Sequence, residues 1–129
     1  MSGTTANLSN NKSQVDSSMD SVVIVLNLET IVGGKTLDTT GFNEEYIKSG
    51  HVVVEQTSTG ALKPLNVSNG AYVALPEGHT YKGIVSATVL TAKPFVSVLV
   101  RGSVNKVAAP FAIPAGAITA LPLIRFVQD

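Results

Sequence analysis

The sequence predicts a mainly β domain, a small antiparallel β-sandwich or barrel with one short helix. Three observations predict it. Short runs of Val, Ile, Leu and Thr recur along the chain, several with alternating polarity. Turn signals containing Gly, Asn or Pro separate them. Only one segment carries helix punctuation, and it is about two turns long.

Residues 1–20 are rich in Ser, Thr, Asn and Gly. Such a segment buries too little apolar surface to offset its ordering entropy. It is expected to be a flexible arm, free or ordered on a partner, with residues 21–129 forming a single β-rich domain. VVIVLNL (22–28) reads as the first strand. Gly33-Gly34 suits a two-residue type I′ turn, so Ile31-Val32 and Lys35-Thr36-Leu37 are expected to pair as a hairpin. NEEYIKSG (43–50) is the helical segment: Asn43 caps it, Glu44 and Glu45 suit its positive end, Lys48 its negative end, and Gly50 the left-handed position beyond.

HVVVEQ, TSTG and ALKPLN (51–66) read as strand, turn and strand, with Pro64 marking an edge. AYVAL (71–75) is a short strand after the turn VSNG. YKGIVSATVL (81–90) and FVSVLVRGSVN (95–105) are the two longest strand candidates. PAGAITALP reads as a turn or a single helical turn with Pro114 at its first position. LIRFV (123–127) closes the domain.

Composition removes several function classes. Nine basic and nine acidic residues cancel, so there is no basic excess to neutralise phosphates, and no nucleic-acid partner is expected. Cysteine is absent, which removes disulfides, thiolate nucleophiles and Cys-based metal sites. Charged residues are only 14% of the chain, against about 25% in average soluble proteins. Residues 107–124 hold no charge at all. That length touches the lower limit for a membrane helix, but Pro110, Pro114, Gly116 and Pro122 interrupt it, so a packed, extended strip is expected and no membrane partner. The N-terminus lacks the basic and apolar regions of a signal peptide.

Chemistry is sparse. GGKT (33–36) lacks the upstream glycine of a phosphate-binding loop, with Glu29 in its place. His51 and His79 belong to no metal-binding spacing, and no G-x-S-x-G elbow occurs. No enzyme activity, catalytic residue, metal or cofactor is expected. Arg101 reads either as a charge at the solvated end of a strand or as a planar contact to a neighbouring subunit.

Several segments carry a resemblance. IKSGHVVVEQTSTGALKPLN resembles the K-x-G-x-V … G-x-x-x-P opening of phage head decoration proteins, the lambda-type capsid-stabilising family. GIVSATVL and PFVSVLVRGSVN resemble that family's hairpin, whose second strand ends V-x-V-R-G-x-V-N. ALPLIRF is similar to its closing element, with Leu123 where a glycine is often found. Phage head-fibre proteins share these features. The hairpin expected over VVIVLNLETIVGGKTLD has no obvious counterpart in the smallest members.

The resemblance implies a homotrimer on the outer surface of a phage capsid, made in the host cytoplasm and bound to the major capsid protein. On that reading Val22, Val23, Ile24 and Val25, where the arm meets the first strand, are the candidate capsid-gripping residues. Arg101, Phe111, Ile113, Ile118 and Leu121 are the candidate subunit-interface residues. The alternative is a virion-displayed module that binds a carbohydrate or another host-surface ligand. It requires aromatic rings on the surface, because sugars stack on them.

Overall fold

The computed structural model describes residues 20–31 and 34–127. It is mainly β, as the patterning predicts. In chain order the elements are α1 (Asp20–Val23), β1 (Ile24–Thr30), β2 (Lys35–Thr36), β3 (Tyr46–Ile47), β4 (Val52–Gln56), β5 (Leu62–Pro64), β6 (Val67–Ser68), β7 (Ala71–Tyr72), β8 (His79–Val85), β9 (Val89–Leu90), β10 (Phe95–Val96), β11 (Val98–Asn105), α2 (Ala115–Ala120) and β12 (Ile124–Val127). A six-stranded sheet runs β1-β11-β8-β4-β5, with β12 also paired to β11. Three two-stranded pieces, β10-β2, β3-β9 and β6-β7, complete it.

The central strands are buried on both faces, and their alternation explains how. Val52, Val54, Leu65, Ile84, Leu99, Val104 and Ile124 pack together in one core. Val53, Leu62, Val85, Val96 and Val98 pack in another. Successive residues of one strand therefore feed two cores. Each fully buried aliphatic side chain contributes roughly 1.5–3 kcal/mol. Leu99 and Val104 share a core although their positions differ in parity. The pairing of β1 with β11 slips between Glu29 and Thr30, which are opposite Arg101 and Leu99, so Val100 is the extra residue that resets the alternation.

β11 is the organising strand. β1 lies along one side of it. On the other side β8 pairs antiparallel at Val98 and Leu99, and β12 pairs parallel from Gly102 to Asn105. A parallel partner needs a long crossover, and residues 106–123 supply it, with α2 inside. The charge-free strip is thus mostly a connection packed against its own chain: Ala117 and Leu121 are buried, and Ile113 packs on the core. No helix among the described residues is long and apolar enough to cross a membrane.

Three local expectations are corrected. The helix expected over residues 43–50 does not form: Tyr46 and Ile47 make strand β3 opposite Leu90 and Val89. Thr91 explains why, since its amide and hydroxyl bind the carbonyls of Glu45 and Glu44, at 2.9 and 2.7 Å. Two turns of helix are too short to resist such tertiary bonds. The helices lie elsewhere. α2 begins after Pro114, which is its N-cap rather than its first residue. α1 occupies the start of the segment read as the first strand.

The hairpin around Gly33-Gly34 is also replaced. The amide of Gly34 does bind the carbonyl of Ile31, at 3.2 Å. Val32 and Gly33 lie outside the described residues, as does the expected arm except for Asp20. Among the described residues the flanks pair with β10 and the start of β11. Ile31 donates to Val98, Lys35 and Thr36 face Val96 and Phe95, and Leu37 donates to Pro94. Residues on both sides of the turn run along one continuous partner.

Candidate functional site

β1 is the least buried of the long strands. Of its seven residues only the two ends, Ile24 and Thr30, are even half-buried. Leu26 is 48% exposed, Leu28 56% and Val25 51%. Among the described residues the strand terminates the sheet, so one side of its backbone has no ladder partner there. It contains no Pro and no Lys, the residues that usually blunt an edge. Two bulges, between Ile24 and Leu26 and between Asn27 and Glu29, twist it without removing its apolar character.

The opposite edge is closed. β5 is three residues long and ends in Pro64, which has no amide to donate. The carbonyl of Leu62 in β5 accepts the amide of Asp38 at 2.8 Å, and Lys63 adds a charge. Among the described residues the β5 edge is therefore guarded, the β1 edge is open and apolar, and β12, paired only with β11, makes a further edge.

Glycines seat β1. A Cβ at Gly102 would strike the carbonyl oxygen of Leu26, and Gly102 has a φ of +154°. Gly50, with φ +92°, leaves room for Val23 and Pro110: a Cβ there would lie 2.6 Å from Val23 and 3.1 Å from Pro110. Val23 is thereby an anchor in the core, immediately before the open strand.

The candidate residues are scattered by this arrangement. Val22 and Val25 are exposed, Val23 is buried, and Ile24 is half-buried opposite Val104. Arg101 is exposed and lies opposite Glu29 across the β1-β11 pair. Phe111, Ile113 and Ile118 are half-buried and Leu121 is buried in its own chain, so these four do not form one open face. The open apolar surface lies instead at Leu26 and Leu28, with Val107 (70% exposed) and Leu123 (65% exposed) at the two ends of the crossover. No signal in the sequence pointed there, because an apolar run such as VVIVLNL is what a strand covered on both faces also shows.

Phe111 belongs to an aromatic cluster around His51. The His51 ring meets Phe42, Tyr72 and Phe111 edge-on, with centroids 5.3, 5.1 and 5.9 Å away. His51 is buried, and its Nε2–H donates to the carbonyl of Leu65 at 2.8 Å, which fixes the tautomer because a carbonyl only accepts. Burial pushes the imidazole down to about 4, opposed by that hydrogen bond. Burial likewise raises the Tyr72 phenol, whose oxygen accepts the amide of Val52 at 3.0 Å. The cluster pins the crossover to β4 and β7 and holds a neutral imidazole. His79 opens β8 opposite Gln56, with Nδ1 3.0 Å from the carbonyl of Glu77. Among the described residues no three His, Cys, Asp or Glu side chains gather as a metal site. The edge of β1 offers strand pairing and apolar contact.

No family model matches the chain, and comparison with curated proteins and with solved structures gives no match.

Proposed function

We propose that the protein is a structural virion component, a trimeric decoration or head-fibre protein that binds and stabilises the outside of a phage capsid. The observation that carries this reading is the open, apolar edge strand β1, which directly follows the N-terminal segment and its anchor Val23. An edge of this kind takes a foreign strand by main-chain hydrogen bonds, with alternate side chains supplying apolar contact. The resemblance of residues 47–126 to decoration proteins supplies the partner class, the major capsid protein. The mechanism is mass action: a protein that binds the assembled shell and not its free subunits stabilises the shell. The rival glycan-binding reading has less support, because Phe95 is the only exposed ring among the described Phe and Tyr residues.

The test is co-sedimentation with undecorated heads of the phage that encodes the chain. The intact protein should pellet with heads and raise their resistance to heat. Removal of residues 1–20 should abolish pelleting while leaving the oligomer intact in analytical ultracentrifugation. Equal occupancy with and without the arm refutes the gripping role, and a stable monomer at micromolar concentration refutes the trimer.

A further inference from the structure

We propose that Asn69 is a self-modification site: when the β6-β7 hairpin opens, its side-chain amide closes onto the backbone nitrogen of Gly70, and water converts the resulting ring to aspartate or isoaspartate. The inference is independent of the capsid reading, since it needs no partner.

Sequence and turn geometry single out this residue. Asn69 alone of the chain's eight asparagines precedes a glycine. A side chain on the following residue hinders attack by its nitrogen, and glycine has none. Asn69 and Gly70 form the whole connection between β6 and β7, because Ser68 pairs with Ala71. Asn69 has a φ of +54°, the one positive value outside glycine among the described residues, and Gly70 has +78°. This is the pattern of a two-residue type I′ turn, with both central residues left-handed. Both residues are exposed, and a Cβ at Gly70 would meet no atom within 4 Å. The chemistry balances with water alone. Base removes the Gly70 amide proton and the nitrogen attacks Cγ of Asn69. A C–N bond forms, closing a cyclic imide, and the side-chain NH2 leaves with a proton as ammonia. One water then opens the imide. Breaking the bond from the nitrogen to Cγ gives aspartate. Breaking its bond to the main-chain carbonyl carbon gives isoaspartate, whose main chain runs through Cγ.

The closed turn withholds the reaction. In a left-handed residue the next nitrogen lies across the Cα–C bond from Cβ, out of reach of Cγ. Cyclisation therefore waits for the hairpin to open locally. The hairpin is small, two strands of two residues each outside the main sheet. Tyr72 ties it to the domain. Its phenol oxygen accepts the Val52 amide at 3.0 Å, and its ring meets those of His51 and Phe111 edge-on. The amide of Val73 adds a bond to the Asn66 carbonyl, also at 3.0 Å. Isoaspartate lengthens the main chain by one atom, so the two-residue turn does not close again around it. The modification turns a reversible opening into a permanent one. It also withdraws Tyr72 from the rings that pin the crossover.

Peptide mapping by mass spectrometry, after incubation of the intact protein in mildly alkaline buffer, reads the reaction. Aspartate and isoaspartate should accumulate at Asn69, more slowly in the folded chain than in urea. In urea Asn69 should react faster than the other asparagines. Tyr72→Phe, which removes the bond to Val52, should raise the folded-state rate at Asn69 roughly fivefold. Val98→Ala weakens the core that Tyr72 does not join, and should leave that rate within roughly twofold. In urea the wild type and both variants should react at one rate. Asn69→Gly keeps the turn and removes the reacting amide, so it should stop ammonia release from this site with the urea midpoint unchanged. The isoaspartate form, once isolated, should exchange amides faster at Val73 and across residues 106–123. The proposal is overturned by no product at Asn69, by equal rates in the folded and urea-unfolded chain, or by a larger acceleration from Val98→Ala than from Tyr72→Phe. Because no head is present, that result stands apart from the capsid assay.

Discussion

Gly102 lies so close beneath the carbonyl oxygen of Leu26 that no side chain fits between the two strands at that point. β1 is in place only because residue 102 is glycine. Gly102→Ala would have to push β1 off β11 and hold a φ of +154° that alanine rarely adopts. The expected cost is about 2–4 kcal/mol. Urea unfolding should show a lower midpoint, and hydrogen exchange should show faster exchange in β1 than in β4.

Acid should weaken the fold through His51. The imidazole is held at about 4 in the folded chain and returns to about 6.5 when unfolded. The unfolded state therefore binds more protons between those values. The stability from keeping His51 neutral is full above pH 6.5, falls as pH drops through the window, and levels off below pH 4. The loss is on the order of 3 kcal/mol. Denaturant unfolding at several pH values should show this slope in the wild type and lose most of it in His51→Phe. Asp38, held below its usual value by hydrogen bonds from Thr40, adds its own loss only at lower pH.

Leu28 and Leu99 are both leucines on the β1-β11 ribbon, with opposite expected sensitivities. Leu28→Lys should change unfolding free energy by no more than about 0.5 kcal/mol, since the side chain is already largely in water. Leu99→Ala removes a fully buried side chain and should cost about 2–5 kcal/mol. Equilibrium denaturation of the two variants side by side decides this. The lysine should also reduce any concentration-dependent association.

Phe111→Ala removes one ring from the His51 cluster and frees the crossover at its middle. The expected cost is about 2–3 kcal/mol. Amide exchange in residues 106–123 should accelerate more than in β8.

The long strands of the middle of the sheet were legible in the sequence because burial on both faces leaves a dense signature, as in HVVVEQ and FVSVLVRGSVN. The β3 segment was not. Its Asn, paired Glu, Lys and Gly satisfy every local requirement of a helix, and the hydroxyl of Thr91, far along the chain, decides against it. The parallel pairing of β12 was hidden for a related reason, since no local turn sets the register of a strand reached through an 18-residue crossover from residue 106 to residue 123. For the site, residues 22–25 span the end of α1 and the start of β1, and an apolar strand reads the same whether it is covered or open. Only the sheet order shows that Leu26 and Leu28 end it.

The two outermost strands of the chain share one doorway. β1 enters with Ile24 beside Val104, and β12 leaves with Val127 beside Asn105, at the same end of β11. The described residues are thus almost a closed loop. A linker from residue 127 to the start of α1 would keep the Val23 anchor, and new ends cut in the exposed TSTG turn, which leaves β4 at this same end of the sheet, would give a circular permutant of unchanged topology. Any cargo fused after β12 would emerge at the Asn105 end of β11, on the same side of the domain as the entry of β1.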